Sequence, residues 1–183
     1  MLEKNEIIQS ALRNLKIEEL NPMQEASLEQ ATGRKDVILL SPTGSGKTLA
    51  YLLPLLLTLK PNDDNVQVLI LVPSRELALQ IDSVFKAMGT SWKTCCCYGG
   101  HPIAEEKKSI LSNHPAIIIG TPGRITDHLS KGNFNPETIE TLIIDEFDKS
   151  LEFGFHDEMA EIITQNVCCF QLLMRQRFPN LQD

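Results

Sequence analysis

Residues 37–48 read Val-Ile-Leu-Leu-Ser-Pro-Thr-Gly-Ser-Gly-Lys-Thr, and they restrict the fold more than any other stretch of the 183-residue chain. A strand-length apolar run breaks at Ser41, passes through Gly44 and Gly46, and resumes as an apolar segment of helical length. The two glycines let the backbone curl so that successive N–H groups converge on one point. A helix opening near Lys47 adds unpaired amides and the positive end of its dipole. Such a collection of donors suits a phosphate. Lys47 is a mobile charge able to reach the outer phosphates of a nucleotide, and the Thr48 hydroxyl is a ligand for Mg²⁺. The candidate cradle is thus Thr43, Gly44, Ser45, Gly46, Lys47 and Thr48, preceded by what reads as a buried strand. A glycine-rich turn that only joins strand to helix explains the glycines but not the Gly-Lys-Thr that follows them. Ser41 stands where the strict form of the loop has a first glycine.

The remaining chain alternates short apolar runs with helical patterns. Ile7, Ile8, Ala11, Leu12 and Leu15 have helical spacing, and Pro22 opens a second helix to about Thr32. The helix Lys47–Leu59 is apolar nearly all round, and Pro54 should kink it or mark a local departure. Strands are expected at 66–72, 93–98, 116–119 and 141–144. Helices are expected from a Ser74 cap through Met88, over about 103–112, and from Thr121 through Ser130. This order predicts an α/β domain with a mostly parallel sheet and helices on both faces. In such sheets the loops at the carboxyl ends of strands gather along one edge, where ligands bind. Every unusual loop of this chain falls at such an end.

Composition narrows the class. No apolar run is long enough to span a bilayer, and the charged N-terminus Met1-Leu-Glu-Lys-Asn lacks a signal core. Five cysteines, three of them consecutive at Cys95–Cys97, do not form a disulfide framework; neighbouring strand residues face opposite ways, so the three thiols cannot share a metal. Buried thiols in a reducing cytosol are the expectation, for a cytoplasmic monomer. The net charge of −7 argues against a broad electrostatic footprint on nucleic acid, so any such contact is local.

The run 141–144 ends in Asp145-Glu-Phe-Asp148. A carboxylate at that strand end can reach a Mg²⁺ held by Thr48, and Glu146, one residue on, is placed to activate water. In Thr121-Pro-Gly-Arg124, Thr121 suits a helix cap and Pro122 its first position. Gly123 leaves an amide open to a phosphate, for which Arg124 offers a bidentate partner. Gln24, in the first turn of its helix, has the donor and acceptor that pair with an adenine edge.

Ser-Pro-Thr-Gly-Ser-Gly-Lys-Thr, Pro-Ser-Arg-Glu-Leu-Ala, Gly-Gly, Thr-Pro-Gly-Arg and Asp-Glu-Phe-Asp, in this order, resemble the first RecA-like domain of a DEAD-box RNA helicase from about Asn21 to Phe155. The resemblance implies a RecA-like P-loop fold, ATP and Mg²⁺ as cofactors, and RNA held by its sugar-phosphate backbone. It implies hydrolysis coupled to local duplex unwinding. Carried onto matching positions, it gives adenine to Gln24, phosphates and metal to Gly44, Gly46, Lys47 and Thr48, metal to Asp145, and water activation to Glu146. It places Arg75, Gly100, Thr121, Gly123 and Arg124 in RNA-holding segments, and makes Asp148 the link to a later Ser-Ala-Thr motif.

The chain departs from that family in several places. Lys16-Ile17 and Leu20-Asn21-Pro22 replace the usual surroundings of the adenine-reading Gln, and Phe147 replaces an Ala. Residues 1–165 are expected to form the ATP-binding domain. Residues 166–183 form an atypical tail that lacks the Ser-Ala-Thr motif and is open to reading as a helix, a substitute strand or a disordered end. The second RecA-like domain is missing, so the chain is expected to bind nucleotide without unwinding alone. Two other readings compete. A P-loop small-molecule kinase would need an Arg-rich lid that the sequence does not show, and a non-catalytic scaffold would not need Lys47, Thr48, Asp145 and Glu146 intact.

Overall fold

The computed structural model describes residues 2–30, 37–42, 44–165 and 170–175, with side chains from residue 6 to 165 of these. Three expectations fall wholly or partly outside them: the helix end at Thr32, the loop residue Thr43, and the tail at 166–169 and 176–183. Helices α1 (Leu2–Leu15) and α2 (Pro22–Gln30) precede strand β1 (Val37–Leu40) and helix α3 (Lys47–Thr58). Then come β2 (Val68–Leu71), α4 (Arg75–Ala87), β3 (Thr94–Cys97), α5 (Ile103–Asn113), β4 (Ile117–Gly120) and α6 (Pro122–Ser130). A 3-10 turn at Pro136–Thr138 leads to β5 (Thr141–Ile144), α7 (Phe147–Glu152), α8 (His156–Thr164) and β6 (Phe170–Arg175).

All the described strands form one parallel sheet in the order β1-β6-β5-β2-β4-β3. Its central strands are covered on both faces, and alternation sorts their side chains. Val68, Ile70, Ile117, Ile119 and Ile143 pack under α1, α3 and α4. Leu69, Leu71, Ile118, Leu142 and Ile144 pack with Ile110, Ile125, Met159 and Ile162 of α5, α6 and α8. Unbroken β-branched and leucine runs are what a strand covered on both faces requires.

Strand β1 differs from the buried strand that its sequence suggests. Among the described strands it lies at the sheet edge, where Val37 and Leu39 join the core while Ile38 is 63% exposed and Leu40 56%. Among the described residues only one face of this strand is covered, which an apolar run of four cannot reveal. In the tail, Phe170–Arg175 is a strand, inserted between β1 and β5 with Leu40 opposite Arg175 and Ile144 opposite Leu173. No helix among the described residues is long and apolar enough to cross a membrane.

Helix α3 runs continuously through Pro54. Proline lacks the N–H that would bond the carbonyl of Ala50, four residues earlier. The Ser27 hydroxyl of α2 donates to that carbonyl instead. Both groups are buried, and the bond pins α2, with Gln24 on it, to the helix that starts at the phosphate loop. Ser27→Ala should therefore lower stability by about 1–2 kcal/mol in urea unfolding, a buried acceptor being left unpaired. In a Pro54→Ala background, where the substituted residue supplies the missing N–H, the same change should cost measurably less.

Candidate functional site

Parallel register puts the informative loops on one rim. Cys97, Gly120, Leu71, Ile144 and Leu173 form one row across the sheet. The next residues carry the ladder on, with Asp145 N–H donating to Leu71 O at 2.9 Å, Val72 N–H to Gly120 O at 3.0 Å and Thr121 N–H to Cys97 O at 3.0 Å. Asp145, Val72 and Thr121 thus leave the sheet side by side. The phosphate loop leaves β1 at the same end, since β1 runs parallel through β6.

The loop depends on glycine at two positions. Gly44 (φ 80°) and Gly46 (φ 85°) occupy the left-handed region, which side chains disfavour. A Cβ on Gly46 would also stand 2.5 Å from Gln24 Nε2. Ser41 does not need to be glycine, because its φ is not positive. Its hydroxyl instead bonds that of Ser45, which donates to Pro42 O at 2.8 Å and latches the loop. Lys47 is buried, with its ammonium donating to Ser41 O at 3.1 Å.

Asn21 and Gln24 cap α2 reciprocally, each backbone N–H donating to the other's side-chain oxygen at 3.0 Å. Their remaining amide groups grip the loop: Asn21 Nδ2 donates to Ser45 O (3.0 Å) and Gln24 Nε2 to Gly46 O (3.2 Å). Gln24, given to adenine by the sequence, is buried and already uses both ends of its amide, the oxygen on the Asn21 amide and the nitrogen on the phosphate loop.

Asp145 and the loop meet through Tyr51, a residue that sequence reading missed. Its fully buried hydroxyl donates to Asp145 Oδ2 at 3.1 Å, and Thr48 is its other polar neighbour. Burial, then Asp145, pushes the Tyr51 hydroxyl well above its ordinary range, so it remains a donor. Burial also pushes the Asp145 carboxyl up, against the pull of the Tyr51 hydrogen bond and the Lys47 charge. Lys47 and Asp145 therefore feel one another on the same rim. Asp145 Oδ1 accepts from the Glu146 amide at 2.9 Å. Glu146 holds a left-handed backbone (φ 49°, ψ 47°) ahead of α7, and its Oε2 accepts from Lys149 Nζ at 2.9 Å. Asp148 Oδ1 is buried with no hydrogen-bond partner among the described residues.

The residues given to RNA gather over β2, β4 and β3. Exposed Arg75 opens α4 behind a Ser74 cap that accepts from Leu77 N–H at 3.3 Å, and its guanidinium lies 5.0 Å over the Tyr98 ring. Gly99 and Gly100 follow, exposed, with Gly100 at φ 99°. Thr121 occupies the cap position of α6, but its side chain makes no cap bond. The first two amides of that helix, at Gly123 and Arg124, are thus not capped by it. Arg124, expected as a phosphate partner, has its guanidinium engaged by protein groups. Its side chain is 11% exposed, with Nη1 on Glu106 Oε2 (3.2 Å) and Nη2 on His101 O (2.9 Å). The acidic partner lies on another helix, where sequence spacing gives no hint of it.

Comparison with known proteins agrees with these motifs. The DEAD/DEAH box helicase family model matches residues 21–174. The ATP-dependent RNA helicase CshA of Listeria monocytogenes is 35% identical over 163 residues, which are 88% of this chain and 31% of that protein. The DEAD-box ATP-dependent RNA helicase RhpA of Helicobacter pylori is 38% identical over 144 residues, 78% of this chain and 29% of that one. The chain thus spans about a third of the curated relatives it matches. A crystal structure of a DEAD box protein from the hyperthermophile Methanococcus jannaschii superposes with a TM-score of 0.85 at 30% identity, covering 94% of this chain and 48% of that one. A hypothetical ATP-dependent RNA helicase from Sulfolobus tokodaii gives 0.84 at 30% identity, covering 96% and 52%.

The raised Asp145 carboxyl has a consequence for stability. A carboxyl whose folded value lies above its unfolded one favours the fold while protonated, and that contribution is lost as pH rises through the folded value. Asp145→Asn, which stays uncharged, should raise the urea midpoint at pH 7 with chelator present. The gain over wild type should shrink as pH falls toward the ordinary aspartate value of 3.8, as a midpoint-against-pH series would show.

Proposed function

The chain belongs to the DEAD/DEAH box helicase family, and we propose that it supplies the nucleotide-binding half of an ATP-dependent RNA helicase. The observation that carries this reading is the meeting of the phosphate loop and the acidic strand end, where Tyr51 of the helix that the loop opens donates to Asp145 and the Lys47 charge acts on the same carboxyl. ATP fits the loop through the amides of the Gly44–Gly46 turn and the start of α3. Lys47 moves from the Ser41 carbonyl to the outer phosphates, a short reach for a flexible ammonium. Gln24 holds the loop and has one amide hydrogen left for an adenine.

The donor set suits Mg²⁺. The Thr48 hydroxyl and Asp145 carboxylate are hard oxygens, and a divalent ion would offset the desolvation that disfavours charge on Asp145. When bound, such an ion neutralises charge building on the phosphates. Glu146 is the group we assign to the attacking water: it follows Asp145 directly, its backbone N–H donates to Asp145 Oδ1, and its carboxylate contacts Lys149, which supports the reading.

For RNA, Arg75, Gly100, Thr121, Gly123 and Arg124 line the other half of the rim. Uncapped amides, a free hydroxyl and an exposed guanidinium hold phosphates and sugars without reading bases. The activity of the whole protein, unwinding included, needs a second RecA-like domain, which together with RNA is the partner we propose. We take residues 1–165 as the nucleotide-binding domain and 166–183 as its tail.

Lys47→Ala should abolish ATP–Mg²⁺ binding in calorimetry; unchanged affinity would refute the site. In a form carrying a second domain, Glu146→Gln should keep ATP affinity within about threefold and cut turnover at least a hundredfold, in line with loss of a general base. Phosphate release at wild-type rate would remove Glu146 from that role.

A further inference from the structure

Four donors converge on the carboxylate of Glu106, a residue of α5 that is 4% exposed. Its Oε1 accepts from the Tyr98 amide at 2.9 Å and lies 2.8 Å from His101 Nε2. Its Oε2 accepts from Arg124 Nη1 at 3.2 Å and lies 2.7 Å from His128 Nε2, whose other ring nitrogen meets Asn133 Nδ2 at 3.0 Å. Tyr98 and His101 bracket Gly99-Gly100, while Arg124 and His128 stand one turn apart on α6. Arg124 Nη2 closes the ring on the His101 carbonyl at 2.9 Å. One side chain, from a helix outside both segments, thereby sets the glycine loop against the start of α6.

Burial alone would push the Glu106 carboxyl up, but the bonds from His128 and the Tyr98 amide and the charge of Arg124 hold it below its ordinary value. It is therefore an anion at neutral pH. Cys97 Sγ completes with Glu106 and His128 a buried trio of metal-ligand types within 4.8 Å of one another. The guanidinium already provides the positive charge there, and the Cys95 contact and burial push the Cys97 thiol far up, away from a ligating thiolate.

Resting on the RNA reading above, we infer that Glu106 is a positioning residue for the RNA backbone. It fixes the Gly99-Gly100 loop and the first amides of α6 in one frame, with Arg124 the strut between them and not itself a phosphate ligand. The fork matters more than the charge. A guanidinium bridges a carboxylate and a carbonyl in one plane, and a lysine ammonium on a flexible stem does not.

This assignment makes a prediction opposite in sign to simple electrostatics. Glu106→Gln removes a negative charge from a chain of net charge −7 and releases the Arg124 guanidinium. If Arg124 bound phosphate directly, RNA affinity would rise or stay the same. If Glu106 positions, affinity falls. The test is anisotropy of a fluorescein-labelled oligouridylate titrated with the 183-residue chain in ATP and Mg²⁺, with ATP affinity measured by calorimetry alongside. Glu106→Gln and Arg124→Lys should each weaken RNA binding about fivefold or more, with ATP affinity within about twofold of wild type, and the double variant should be little weaker than either single one. Wild-type or tighter RNA binding by Glu106→Gln overturns the inference, as does full affinity in Arg124→Lys. If circular dichroism shows that the glutamine variant does not fold, Glu106→Asp, which keeps the charge but shortens its reach to the Tyr98 amide and Arg124, decides instead: about fivefold weaker RNA binding supports the inference and wild-type affinity overturns it. No RNA binding by wild type at any concentration would instead sink the RNA reading, and the positioning role with it.

Discussion

Every described strand of the sheet runs the same way, and most of the molecule follows from that. Parallel pairing forces each connection to cross a face of the sheet, usually as a helix, before the next strand begins. Each crossing starts at the same rim. Cys97, Gly120, Leu71 and Ile144 lie level across the sheet, so the residues after them are brought together without any contact of their own. Asp145 N–H bonds Leu71 O and Thr121 N–H bonds Cys97 O, which extends the ladder one residue into the loops and fixes where those loops begin. Apolar burial on both faces holds the frame. The polar chemistry is carried on its end.

Beneath the rim several polar side chains are paired with main-chain carbonyls. Gln24 and Asn21 bond the carbonyls of Gly46 and Ser45, Ser27 that of Ala50, Lys47 that of Ser41, and Arg124 that of His101. A buried side chain tied to backbone adds little net stability, yet it is costly to misplace, because both the donor and the carbonyl lose a partner that water does not replace. These bonds therefore specify position. The phosphate loop is defined by α2 as much as by its own glycines, and the glycine pair of the second half by a glutamate on α5.

The sequence made the nucleotide half legible because its chemistry is local. Lys47, Thr48 and the two left-handed glycines sit within five residues, and Asp145 and Glu146 follow an apolar strand whose end is easily seen. What stayed hidden depends on pairings between distant segments. Tyr51 looked like one more large residue in an apolar helix, although a tyrosine there needs a partner for its hydroxyl. That need is the one signal that pointed to Asp145. Glu106 carried no signal, being one of several charged residues in 105–108, and Arg124 looked free because its partners are 18 and 23 residues away. Strand β1 shows the same limit: Val-Ile-Leu-Leu fixes a strand but not how many of its faces are covered.

The two halves of the rim differ in how fully they are determined. Around Glu106 the carboxylate has four partners, and the loop and helix it joins have little freedom to move separately. Around Glu146 the opposite holds. Its backbone is left-handed, a conformation that costs a non-glycine residue about 1–2 kcal/mol. In the six-residue helix that follows, Asp148 Oδ1 and Ser150 Oγ are buried without partners among the described residues, each a penalty of about 1–3 kcal/mol while it stays so. A short helix holding that much unsatisfied polarity is easily moved, because almost any displacement that hydrates or pairs those atoms offsets the contacts it breaks. The half that holds RNA in our reading is rigid, and the half placed over the nucleotide is poised.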